Sequence, residues 1–144
     1  MTRLERDDWA HLLPHAGAMC LLDTVEAWDA MAIHAVSVGH ARSDHPLRNG
    51  TGLHAVHLAE YGAQAMALHG ALLARAGGDE AARPGMLVSL RDVRLAVAFV
   101  DPAGGRLEVR AERLYADAAG AQYAFRVVQA DRMLASGRAA AMYG

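Results

Sequence analysis

Lysine is absent from this chain, and all 14 cationic side chains other than histidine are arginine. With alanine so abundant, that bias points to a GC-rich coding sequence rather than to a physical demand. Cysteine is nearly absent as well. The single Cys20 excludes an internal disulfide framework and suits a reducing compartment. It lies in the apolar run Met19-Cys20-Leu21-Leu22, where a small buried hydrophobe is the expected role rather than a nucleophile. No apolar run reaches the ~18 residues that span a bilayer. The charged opening Met1-Thr2-Arg3-Leu4-Glu5-Arg6-Asp7-Asp8 carries no signal-peptide core, so a soluble cytoplasmic chain with no membrane partner is expected. An excess of charge is missing too: the net charge of -2 implies no basic face for phosphates, and hence no nucleic-acid partner.

What is present is 144 residues, 53% hydrophobic and 21% charged, the balance of one folded domain spanning 1–144. The chain is organised around residues 43–77. A polar turn, 44–52, leads into about two dozen residues without proline, rich in the helix formers Ala, Leu and Met. Gly62, Ala63, Ala65, Ala67, Gly70 and Ala71 leave little side chain around this helix, which reads as enclosed on most sides. One carboxylate, Glu60, sits in it, with His54 and His57 on the two preceding turns. A charge in a wrapped helix is costly unless it is paired or used.

The flanks read as strands. Residues 7–13 can form a short helix closed by Pro14. Residues 19–38 read as a β-hairpin turning at Trp28-Asp29-Ala30. Gly77-Gly78-Asp79 stops the long helix, and Arg83-Pro84-Gly85 turns the chain into four further strands at 86–100, 106–115, 121–130 and 133–143. Leu107, Val109 and Ala111 alternate with Arg106, Glu108 and Arg110, as in a sheet with one wet face. The expected fold is α+β: about six antiparallel strands wrapped around one long helix, with an edge strand open to a second copy.

Metal and nucleotide chemistry find no foothold. His54, His57 and Glu60 do not share a helical face, because each three-residue step turns about 60° out of alignment. The zinc pattern H-E-x-x-H is missing, as is a glycine-rich phosphate loop after a strand. No cofactor is expected.

Three pieces resemble a known family. Leu12-Leu13-Pro14-His15 followed by Met19-Cys20-Leu21-Leu22-Asp23-Thr24-Val25 is similar to the opening L-P-H-R-x-P-x-L-x-x-D-R-V of bacterial (3R)-hydroxyacyl-acyl-carrier-protein dehydratases, which have the hot-dog fold. His45-Pro46 stands at that family's H-F-P loop, and Glu60-Tyr61-Gly62-Ala63-Gln64 resembles its E-A-x-A-Q. The Glu-Tyr-x-Ala-Gln form is similar to a divergent branch found in aryl-polyene pigment clusters. Two departures stand out. His45 lies one residue further from Glu60 than the family spacing, and His54-Ala55 replace the Pro-Gly step before the helix.

The resemblance implies removal of water from 3-hydroxyacyl thioesters carried by acyl carrier protein or coenzyme A. His45 would be the base and Glu60 the acid, meeting across a dimer interface, with His57 able to replace His45. Gln64, one turn beyond Glu60, would orient the carboxyl. The amides of Ala55 and Val56 would hold the thioester oxygen at the helix start, near His54, itself expected as a loop-end residue of the substrate side. Arg48, Arg91 or Arg94 could meet the carrier's acidic face. The assembly would be a homodimer, or a heterodimer with another hot-dog subunit. Two other functions fit the same scaffold: a thioesterase using the same carboxylate, and a non-catalytic partner subunit.

Overall fold

The computed structural model describes residues 3–14, 17–78 and 85–143. The expectations touching His15, Asp79, Arg83 and Pro84 lie outside the described residues. A two-residue strand, Leu4–Glu5 (β1), and two short helical turns, Arg6–Trp9 (α1) and Ala10–Leu12, open the chain. The hairpin follows as β2 (Thr24–Trp28) and β3 (Ala32–Ser37), its turn held by the Asp29 carboxylate, which accepts from the amides of Met31 and Ala32 at 2.8 Å. After the long helix α2 (Leu58–Ala76) come β4 (Gly85–Leu95), β5 (Leu107–Ala116), β6 (Gly120–Gln129) and β7 (Arg132–Tyr143). All pairings are antiparallel, in the order β1-β2-β3-β5-β6-β7-β4. This is the expected hot-dog architecture. It has a seventh strand because Leu4 and Glu5 of β1 pair with Val25 and Thr24.

The alternation that marked the strands does its work against α2. Leu107 and Val109 of β5 and Tyr123, Phe125 and Val127 of β6 are buried with Leu58, Tyr61, Ala65, Leu68 and Leu72 of the helix. Close approach requires a glycine here: a Cβ on Gly62 would fall within the ring of Phe125. His69, fully buried, joins the helix to the hairpin turn and to β6, one ring nitrogen 2.7 Å from the Asp29 carbonyl and the other at the Tyr123 hydroxyl.

Two boundaries differ from expectation, and so does the enclosure of the helix. The helix starts at Leu58 because residues 53–55 are held extended: Val100 N–H donates to Leu53 O and Ala55 N–H to Ala98 O. The strand expected at 86–100 leaves the sheet after Leu95 for the same reason, its last residues exchanging β7 for the lead-in to α2. The helix is also less enclosed than expected, since Ala67 is exposed and Ala63 and Gly70 are half-buried. The sheet covers one side of α2 only. The unpaired edge of β4 exposes Met86, Val88 and Leu90, at 71%, 49% and 42%, an apolar strand edge of the kind that pairs with another chain.

Candidate active site

A three-residue 3-10 turn, Ala55–His57, delivers the chain into α2, so Glu60 falls in the first helical turn and Gln64 one turn later. Gln64 is fully buried. Its Oε1 accepts from Leu21 N–H at 2.9 Å, and its Nε2 donates to Met19 O at 2.7 Å and towards Glu60 Oε1 at 3.4 Å. One amide side chain thus pins the 19–21 segment to the helix and restrains the carboxyl.

Glu60 is half-buried at the wall of a cavity of about 570 Å³. The helix gives that cavity a floor of small residues, Ala63, Ala67 and Gly70, and residues 11–14 face them. From Glu60 to Gly70 the floor runs about 15 Å at 1.5 Å per residue. Nothing lies within 4 Å of a Cβ placed on Gly70. The small residues read as close-packing positions therefore also hold open a trough that begins at a carboxyl group.

His45 is elsewhere. It is 8% exposed and borders a separate cavity of about 490 Å³ with Cys20, Asp23 and Arg42. Its Nδ1 accepts from Leu47 N–H at 3.1 Å, and its Nε2 lies 2.9 Å from the Tyr61 hydroxyl. Burial, and then the nearby His40 and Arg48, push its pKa below the ordinary imidazole value. Tyr61 is fully buried and also meets the Ser37 side chain. Burial pushes its phenol pKa up. Ser37 Oγ in turn donates to Leu21 O at 2.5 Å. Tyr61 is therefore a polar partner of His45, and the sequence assigned no role to Ser37. The signal available was a serine on the inward side of β3.

The remaining candidates cluster at the helix start. His54 caps the 3-10 turn, its Nδ1 accepting from Val56 N–H at 3.0 Å, and its ring meets Phe99 edge-on at 5.3 Å. The Ala55 amide is committed to Ala98 O at 2.8 Å. Among the described residues, the Val56 amide is held only by that imidazole. His57 is half-buried, and its ring makes no hydrogen bond among the described residues. Cys20 is buried, with its thiol pKa raised by desolvation, as expected of a small hydrophobe. Among the described residues, no group of three His, Cys, Asp or Glu could hold a metal ion, and no helix is long and apolar enough to cross a membrane. A further hollow of about 610 Å³ lies over the sheet among Arg94, Arg110, Arg126 and Arg138; it contains neither Glu60 nor any of the candidate histidines and shares no lining residue with the Glu60 cavity.

The geometry can be set beside known proteins. The sequence model of the ApeP-like family, described as ApeP dehydratase, matches residues 8–143. A chain of the dehydratase heterocomplex ApeI:P from Xenorhabdus doucetiae is 25% identical and superposes with a TM-score of 0.82, over 94% of this chain and 90% of that one. Zebra fish thioesterase superfamily member 2 has the same fold at 14% identity, with a TM-score of 0.69 over 96% of this chain and 95% of its own. So does a mutant of the phenylacetic acid degradation protein PaaI from Thermus thermophilus, at 21% identity, TM-score 0.60, and coverage of 83% and 91%. No curated protein sequence matches the chain.

Proposed function

The chain belongs to the ApeP-like dehydratase family, and from that premise we propose that it removes water from (3R)-3-hydroxyacyl thioesters on acyl carrier protein, as one subunit of a two-chain hot-dog assembly in polyene-type biosynthesis. The whole of residues 1–144 would act as a single domain in that assembly. The observation that carries the proposal is the placement of Glu60: a carboxyl held by Gln64 at the wall of a long cavity floored by small residues.

In the elimination, a base takes the C2 proton and that electron pair becomes the C2–C3 double bond. The C3–O bond breaks, and the Glu60 carboxyl protonates the departing oxygen, so that water leaves. The protonated base then returns its proton to the carboxylate. The amide of Val56 would receive the thioester oxygen on leaving the His54 ring, and the Ala55 amide would join it only by giving up its bond to Ala98. His54 and His57 would stand at the start of the helix beside this amide.

The base is an imidazole from the neighbouring hot-dog subunit. Two features support a second chain: His45 and Glu60 of one chain border separate cavities, and both β4 and one side of α2 are left uncovered. The ApeI:P structure, itself a heterocomplex, favours another hot-dog protein as partner. The test is hydration of crotonyl or decenoyl thioesters by the assembled protein. Appearance of the 3-hydroxyacyl product, and its loss in Glu60→Gln, is the expected result. Release of free thiol would identify a thioesterase instead.

A further inference from the structure

The hydrogen bonds around His45 run in one direction only. A backbone amide cannot accept, so Leu47 N–H fixes the lone pair on Nδ1. The ring hydrogen of a neutral imidazole must then be on Nε2, and it donates to the Tyr61 oxygen at 2.9 Å. The Tyr61 oxygen also meets the Ser37 side chain, whose own hydrogen goes to the carbonyl of Leu21. Every member is buried. An imidazole that abstracts a C2 proton needs a free nitrogen lone pair facing substrate. This ring has one nitrogen occupied by a backbone donor and the other carrying a hydrogen already in use. Placing the hydrogen on Nδ1 instead would set two donors against each other.

We infer that His45 of this chain is a fixed hydrogen-bond donor rather than a base, with Tyr61 as the residue that holds it, and that the paired assembly has one working elimination centre, the one containing this chain's Glu60. The reciprocal centre, for which this chain would supply the imidazole, is silent. The second half of the inference rests on the dehydratase reading; the first does not.

The deciding measurement is nitrogen-15 NMR of the full chain labelled at histidine. The expected spectrum shows His45 with an unprotonated Nδ1 and a protonated Nε2, unchanged on lowering the pH into the range where exposed imidazoles titrate. A protonated Nδ1, or a ring averaging between the two forms, overturns the inference. Turnover by the assembly gives an independent arm. Tyr61→Phe and His45→Gln should lower the melting temperature and leave kcat unchanged. A loss of kcat of about a hundredfold or more at unchanged melting temperature would make His45 a base after all. If the wild-type assembly turns over no hydroxyacyl thioester, the dehydratase reading falls, while the ring nitrogens still decide the state of His45.

Discussion

The two sides of α2 treat their polar groups in opposite ways. On the closed side, Tyr61, Gln64 and His69 are fully buried, and each is bonded to a partner far away in sequence. On the other side, Glu60 stands above Ala63, Ala67 and Gly70 beside open volume. A buried polar group must be satisfied or it costs stability, so the first side is constrained by folding. The carboxyl of Glu60 also meets Gln64, but it borders open volume, and in the proposed elimination its placement serves what enters the trough. The contrast separates structural polarity from chemical polarity within one helix.

The contrast is testable because each side should fail in its own way. The largest effect belongs to the open side. Glu60→Gln should lower kcat for dehydration by at least about a hundredfold, with the melting temperature unchanged in a thermal scan. A large shift in melting temperature instead would place Glu60 among the structural groups. Next is His69→Leu on the closed side, which strands the Tyr123 hydroxyl and the Asp29 carbonyl. It should cost about 1–3 kcal/mol of unfolding free energy per unsatisfied group and leave kcat alone, as read from urea titration and turnover together.

Smaller is the effect of filling the trough. Gly70→Leu should raise KM for long acyl chains by about tenfold, roughly the 1.4 kcal/mol of a lost apolar contact, and spare crotonyl substrates. Equal effects on both would mean that the trough holds no acyl chain. A graded loss should accompany acidification. Burial, the foremost cause in each case, lowers the pKa of His34, His40, His45 and His69 below 6.5. The unfolded chain therefore binds more protons near that pH, and the stability present above pH 6.5 is lost as the pH falls below it. His69→Leu should flatten the profile measured by denaturant titration at successive pH values.

The smallest effect lies away from the helix. The β6–β7 turn places Ala130 at φ 49° and Asp131 at φ 63°, conformations that alanine resists and asparagine tolerates. Ala130→Asn should stabilise the protein by about 0.5–1 kcal/mol with no change in activity, giving the background against which the other variants are judged.

Much of this was readable from the residues in line. The strict alternation through β5 and the proline-free run through α2 are local patterns, and local patterns survive into the fold. Glu60 stood out because an acid among alanines and glycines is anomalous in any window of the chain. Gln64 followed, one turn away. The boundaries that went astray, at Leu58 and Leu95, went astray together. Both are set by residues 53–55 pairing with 98–100, a contact between segments more than forty residues apart. The circuit through His45 was illegible for the same reason: Ser37, His45 and Tyr61 lie on β3, a loop and α2, and no spacing announces that they meet.

The sequence alone determined which segments would be helix and strand, and that one carboxyl would sit on a helix too small-sided to be ordinary surface. Those are consequences of side-chain periodicity, which is fixed by covalent order. Only the tertiary structure decided which nitrogen of His45 keeps its lone pair and which cavity each candidate borders. Such properties depend on donors and acceptors brought together from distant parts of the chain, and a hydrogen bond has no direction until both of its ends are in place.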